Sequence, residues 1–443
     1  MSFARVAALL AVIVLTGCAG HDQKTLAARN ALDAGDPRGA LKALNEQLEV
    51  GSEKDLPAKT AGDNALLLLD RAMVLQELDK YPLSSRDLEV SDKQIEILDL
   101  SGRTGSDIGR YLYSDDSGHY KAPVYEKLMI NTMNMMNYLA RSDLNGARIE
   151  ARRLAVMQKF TRDTNDAAEA LLGPGSYLAG FVFEKSGKPD DALRYYDDAL
   201  AYGTYETLAD PIRRLSQQSG YSSPRLKELL AKNPTPAAAD AADTDAELLV
   251  IVNYGRVPAK IAKRIPIGLA LTYASGFIAD AGQANRLAAQ GLVTWVNYPE
   301  LGQPRGTYGR PTFTIDKQPA ELEGIVAVDR EAQRAWDKGK GAIIASAITR
   351  AVTRFIAGET ADKASGGGLL GAVLSLGTQA TLSAADTPDT RNWSTLPARI
   401  AFGRVRVPAG AHTITLTAAG GRKRQTVTLE PGGWGVVVLT ALN

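Results

Sequence analysis

The sequence predicts an α+β multidomain chain, with a helical N-terminal half followed by a β-rich C-terminal half that carries an inserted pair of helices. Three observations predict it. Apolar residues recur at helical spacing in successive pairs of segments up to about residue 232. An Ala, Asp and Pro stretch without apolar period follows. Beyond it, short β-branched runs alternate with Gly and Pro turns.

In chain order, the first helical pair meets at Ala34-Gly35-Asp36-Pro37. Leu26, Ala27 and Ala31 precede this turn, and Ala40, Leu41, Leu44 and Leu48 follow it. Asp36 suits an N-cap and Pro37 a first helical position. The spacing predicts further pairs: Leu66 to Leu78 with Ser84 to Leu98, Val124 to Ala140 with Leu144 to Phe160, and Ala168 to Glu184 with Asp190 to Ala201. The last pair resembles the tetratricopeptide repeat (TPR), with Ala179, Gly187, Ala192, Tyr195, Ala199 and Leu200 in the repeat's characteristic places. One such unit cannot bury its apolar face alone, so several must stack. The Gly, Ser and Asp-rich stretch from Ser101 to Ala122 reads as a loop over one face of the stack.

Residues 233–246 read as a linker, leaving the C-terminal part free to reach away from the helices. The β-rich domain then covers 247–443. Glu247 to Asn253, a turn at Tyr254 to Pro258, and Ile261 to Ile267 predict a strand pair. Further strands are expected at Thr294 to Asn297, Arg310 to Ile315 and Leu322 to Val328. Helices follow at about 329–382, broken by Gly366 to Gly368. Four last strands lie at Arg399 to Val407, His412 to Thr417, Gln425 to Leu429 and Trp434 to Leu439. Short strands at this spacing predict a sandwich-like domain, with the helix pair packed on its sheet.

The N-terminus carries an address. Arg5 precedes an apolar run, Val6 to Leu15, too short to span a bilayer. Leu15-Thr16-Gly17-Cys18 closes it and resembles the lipobox of bacterial lipoproteins. The resemblance implies a signal peptide over residues 1–17, cleavage before Cys18, and a diacylglycerol on the only cysteine of the chain. Ala19, rather than Asp, follows the cysteine, which implies the outer membrane, on its periplasmic side.

The lipobox, Asn131 to Arg153, Val250 to Ile267 and Ala385 to Pro397 together resemble an uncharacterised family of bacterial TPR-type envelope lipoproteins. That resemblance implies a location beside other envelope lipoproteins. It carries no activity.

Composition narrows the function classes. The chain has 443 residues, 23% charged and 45% hydrophobic. Its 51 Lys and Arg nearly balance 50 Asp and Glu, and loss of Arg5 makes them equal, so nothing points to nucleic acid. His21, His119 and His412 share no helix face, which gives no metal pair. Gly175-Ser176-Tyr177 lacks the rest of a nucleophile elbow and reads as a helix start. Gly366, Gly368 and Gly371 match a dinucleotide fingerprint in spacing alone, since no strand precedes them. No cofactor and no catalytic constellation is expected.

The binding candidate is the pair from Val124 to Phe160. Asn131, Asn134 and Asn137 recur every three residues, and Arg148 and Arg152 stand on the partner helix with Arg153. TPR grooves use such amides and cations to hold a peptide backbone or carboxylate. The expected function is a non-catalytic scaffold that holds an envelope protein or peptide in this groove. The alternative is a structural subunit that oligomerises through its β domain and helix pair.

Overall fold

A computed structural model describes residues 20–60, 62–95, 120, 122–163, 171–234, 245–274, 276, 282, 285, 289, 295–304, 308–364 and 388–443; at 163 and 350–364 only the backbone is described. Cys18, His119, most of the 101–122 stretch, most of the linker, and the second inserted helix with its glycines lie outside the described residues.

The helical half begins with α1 (His21–Lys24), then α2 (Leu26–Asp33) and α3 (Pro37–Gln47), α4 (Asp63–Glu77) and α5 (Tyr81–Gln94), α6 (Val124–Ala140) and α7 (Leu144–Asp163), and α8 (Leu172–Lys185) and α9 (Pro189–Tyr202). Two short helices that the sequence pattern did not reveal, α10 (Ala209–Ser216) and α11 (Pro224–Lys232), end it. Asp36 caps α3 as expected, its carboxylate accepting from Gly39 N at 2.9 Å, and Pro37 is the first helical residue.

Among the described residues, the four helical hairpins from α2 to α9 close in the same way. Gly35, Asp79, Ser142 and Gly187 all take left-handed φ, between +58° and +71°. The following N–H then bonds back five residues: Asp36 to Ala31 O, Lys80 to Leu75 O, Asp143 to Tyr138 O and Lys188 to Phe183 O. This doubled turn satisfies carbonyls that a helix end leaves bare. Five residues past each left-handed position stands a small buried residue, Ala40, Ser84, Ala147 or Ala192, which lets paired helices approach. In the last hairpin Ala192 and Ala199 are buried as expected, but the close contact of small residue and aromatic is shifted by one place. It is Tyr196 that is fully buried, against Gly180, where a Cβ would come within 2.4 Å of its ring. Tyr195 instead stacks on Phe183 with centroids 5.2 Å apart.

The C-terminal half has ten strands among the described residues. The first sheet runs β10 (Trp434–Ala441), β1 (Ala246–Tyr254), β7 (Arg399–Val407) and β6 (Glu323–Ala327). The second runs β5 (Gln318–Ala320), β4 (Thr312–Ile315), β8 (Gly410–Ala418) and β9 (Gly421–Leu429). The third pairs β2 (Lys260–Pro266) with β3 (Trp295–Leu301). The expected pairing of β1 with β2 does not form. β1 lies parallel to β10 and antiparallel to β7 instead, because its two apolar faces both need cover. Leu248, Val250 and Val252 face the second sheet, with Leu416, Leu439 and Phe313. Leu249 and Ile251 join Phe402, Val438 and Trp393 in one core with the helical half.

That shared core overturns the expectation of a β domain free to reach away. The helices lie on one face of the first sheet and the second sheet on the other. The inserted helix α13 (Val328–Ala364) joins the shared core only at its start, through Val328 and Ala332, and then packs on β3 and α12 (Ile267–Ala274), with Trp336, Ile343 and Ile344 against Val296 and Tyr298.

Candidate functional site

The expected groove residues are not assembled into an open groove. Asn131, Asn134 and Asn137 are buried. Asn131 Nδ2 donates to Glu150 at 2.9 Å, within its own helical hairpin. Asn137 Nδ2 donates to Ser84 Oγ at 2.9 Å and its Oδ1 accepts from Gln76 Nε2 at 2.9 Å. Asn134 Oδ1 has no partner among the described residues. A period of three drifts across a helix, and on α6, which is covered almost all round, every such position is interior. Arg152 is exposed and Arg148 half-buried, holding Asn145. Arg153 pairs with Glu150 at 3.2 Å and Asp92 at 3.6 Å. The amides are therefore interior, Arg148 and Arg152 lie toward solvent, and Glu150 bridges Asn131 to Arg153.

The inner face of the helical stack is instead filled by the chain's own C-terminal half. The first helices α4, α6 and α8 supply polar contacts, joined by Tyr196 of α9. Gln76 Oε1 on α4 accepts from Thr440 Oγ1 at 2.9 Å and Asn253 Nδ2 at 3.1 Å, joining β10 and β1. Glu184 on α8 takes Arg404 of β7 at 2.7 Å, and Arg404 also bonds Glu247 and donates to the Tyr196 hydroxyl at 2.7 Å. Burial raises the carboxyls of Glu184 and Glu247, but the charges of Arg404 and Lys185 outweigh it and hold both below their ordinary value.

Between these contacts the segment 389–396 threads the interior, and Thr390 to Leu396 are all buried. Trp393 Nε1 donates to Leu69 O at 3.0 Å and Trp393 N to Glu126 Oε1 at 3.0 Å. Burial raises Glu126, while the Tyr120 hydroxyl and the Trp393 N–H favour its charged form. Ser394 Oγ and Thr395 N donate to Asp70 Oδ1 at 3.1 and 3.0 Å. Asn392 ties β2, its Oδ1 accepting from Lys260 N at 2.9 Å, to the Pro258 carbonyl at 3.0 Å.

The N-terminal helix docks on the same segment. Asp22 N donates to Thr390 Oγ1 at 3.1 Å, and an Asp22 carboxylate oxygen accepts from Ala262 N of β2 at 3.2 Å. His21 Nε2 lies 3.1 Å from Asp70 Oδ2. His21, Asp70 and Ser394 thus meet, but the serine hydroxyl donates to the aspartate rather than to the imidazole. A serine nucleophile needs the reverse order, with histidine between the two. All three are buried, and the arrangement works as a joint between chain start, α4 and the 389–396 segment.

The other chemical candidates are placed as follows. Ser176 is buried within α8 and accepts from Gln158 Nε2 at 2.6 Å, inside a helix rather than at a strand-to-helix elbow. His412 Nδ1 pairs with Asp316 at 2.7 Å on the surface. No group of three metal-ligating side chains occurs among the described residues. A cleft of about 380 Å³ opens between Tyr202, Tyr205 and Leu171 of the helical half and Ile325, Arg330 and Arg334 of the β half. It has the size of a small-ligand pocket, but Arg334 is paired with Glu331 at its rim.

Sequence reasoning missed Asp70, Gln76, Glu126, Glu184 and Arg404. A signal existed for Asp70. It interrupts the run Leu66 to Leu75 with Arg71 beside it, and charges inside a helix that is apolar all round must be paired in the interior. Arg71 accordingly holds Asp87 at 2.6 Å and Asn45 at 2.9 Å.

No model of a known protein family matches this chain, and no curated protein matches it either.

Proposed function

We propose that the protein is a lipid-anchored, non-catalytic component of the bacterial envelope that acts as a structural subunit. The observation that carries this is the filled inner face of the helical stack. A tetratricopeptide-like groove that already holds its own 389–396 segment and sheet offers a partner little room, so the helices brace the molecule. The four alike hairpin turns support a TPR-like repeat, and the lipobox at Cys18, with the resemblance to envelope lipoproteins, supports the address at the outer membrane. The mature chain in detergent should run well above the mass of one copy by light scattering and crosslink to itself in intact cells. A monomer without self-crosslinks would sink the structural-subunit reading.

A second reading has one observation behind it. On the outer face of α7, Ile149 and Val156 are 52% and 50% exposed on either side of the exposed Arg152. An apolar and basic stripe on a helix suits an acidic amphipathic partner. If the protein is a scaffold after all, Ile149→Asp with Arg152→Glu should abolish partner crosslinks in cells while leaving the melting curve unchanged.

A further inference from the structure

β10, β6, β5 and β9 form the outer edges of the two large sheets, and the first three are closed to pairing. β5 has only three residues. β6 loses register between Glu323 and Val326. On β10, Val438 O accepts from Lys423 Nζ at 2.8 Å and from the Tyr81 hydroxyl at 3.4 Å. Shortness, irregularity and cover are the usual ways in which an edge is blunted. β9 is different. It has nine residues, no proline and an unbroken register against β8.

The hairpin fixes which groups of β9 face outward. Ala419 and Gly420 form a two-residue turn with φ +47° and +76°, closed by the pair Ala418 and Gly421. The closing pair is hydrogen-bonded, and bonded pairs alternate with unbonded ones. Alternate residues from Gly421 to Leu429 therefore bond β8, while Arg422, Arg424, Thr426 and Thr428 turn N–H and C=O to the open edge. Among the described residues none of these outward groups has a backbone partner. The same four residues are exposed, as is Glu430 beyond them. Arg422, Arg424 and Glu430 form no ion pair or side-chain hydrogen bond among the described residues.

We propose that β9 pairs with β9 of a second copy of the chain, antiparallel about a two-fold axis at Thr426. This rests on the structural-subunit reading and names its interface. Charge decides the direction and the register. Laid parallel in register, Arg422 and Arg424 would each face their own like charge. In the antiparallel pair Arg424 faces Thr428 of the partner subunit and Arg422 faces Glu430 of the partner subunit, twice by symmetry. An axis at Gln425 would leave Glu430 without a cation opposite. Lys423 adds no repulsion, because Asp79 takes its ammonium at 2.6 Å. Thr426 meets Thr426 of the partner subunit as a hydrogen-bonded pair, which its outward N–H and C=O permit. The pairing uses the strand from end to end and joins the second sheets of two copies into one.

The test uses the mature lipidated chain in detergent, diluted under light scattering. Wild type should give a dimer or a multiple of it. Arg422→Glu should raise the dissociation constant at least ten-fold, and Glu430→Arg in the same chain should restore it. With Cys18 lipidated, Thr426→Cys carries the only thiol. Oxidation should link two copies through it, since a bonded antiparallel pair holds its Cα atoms about 5.5 Å apart. An oligomer that dilutes as wild type in Arg422→Glu, with no disulfide in Thr426→Cys, would overturn the β9 pairing and leave the structural-subunit reading standing. A loss in Arg422→Glu that Glu430→Arg does not restore would also overturn self-pairing and give the edge to an unlike, acidic strand. A wild type that stays monomeric would overturn both readings together.

Discussion

Arg404 holds two carboxylates that would otherwise repel each other in the interior. It bonds Glu184 and Glu247 and touches Tyr196, and its side chain is almost wholly buried. Removing one member of a buried ion network leaves uncompensated charge and costs about 3–5 kcal/mol. Arg404→Ala should lower stability by about that amount in urea melts. The pH dependence should also weaken. With Arg404 present, Glu184 and Glu247 titrate below their unfolded value, so their contribution is present above about pH 4.5 and lost as pH falls. Without it, Lys185 still pairs with both carboxylates, and the acid-side loss of stability should be smaller than in the wild type. Glu77 acts in the opposite sense. Burial pushes it up to about 7, against the Leu442 N–H. A carboxyl raised in the fold favours the native state most below its unfolded value of 4.5, and that benefit is lost as pH rises to about 7. The whole shift corresponds to about 3 kcal/mol at most. Glu77→Gln should therefore flatten melting temperature against pH between 5 and 8, and an unchanged slope would show that Glu77 is not the group responsible.

Two of the four helical hairpins close on a glycine, Gly35 or Gly187, and two on Asp79 or Ser142. Gly187 is left-handed at φ +67° with open space around it, so Gly187→Ala should cost about 1–2 kcal/mol through backbone conformation alone. Gly180→Ala meets the Tyr196 ring and should cost as much or more by overpacking, about 1–3 kcal/mol. A double-mutant cycle with Tyr196→Leu, which by itself also loses the hydroxyl bonds to Arg404 and Glu184, reads the clash as the coupling between the two changes. The helix ends were legible in the sequence for the same reason: Gly-Asp-Pro and Gly-Lys-Pro state a turn by local chemistry. β5 had no signal, alternation made β7 legible to the residue and β8 nearly so, and β1 and β10 were legible as apolar runs. The partners of β1 were not, because an apolar run covered on both faces has no period from which to choose a neighbour.

At the scale of the molecule, one core joins helices and sheet, and the 389–396 segment fills the space between them. Trp393→Ala should cost about 3–5 kcal/mol by leaving a cavity, and the loss should appear in both halves at once. Helical circular dichroism and the fluorescence of Trp434 on β10 should fall in a single coincident transition with temperature. Two separated transitions would mean that the halves fold independently and that the shared core is a weak seam.

The sequence by itself determined the local content: four helical hairpins, their turns and most of the strands. These follow from periodicity and from residues with special backbone preferences, which act over a few neighbours. Only the tertiary structure decided what the polar residues do. Asn131, Asn134 and Asn137 carry groups that could bind a partner, and nothing within a helix says whether such an amide faces solvent or another part of the same chain. Here Asn137 reaches Gln76, and through it Thr440, a contact across 364 positions. Burying an amide is favourable only where its hydrogen bonds are replaced, and for Asn137 those replacements come from distant segments, which the fold alone brings together.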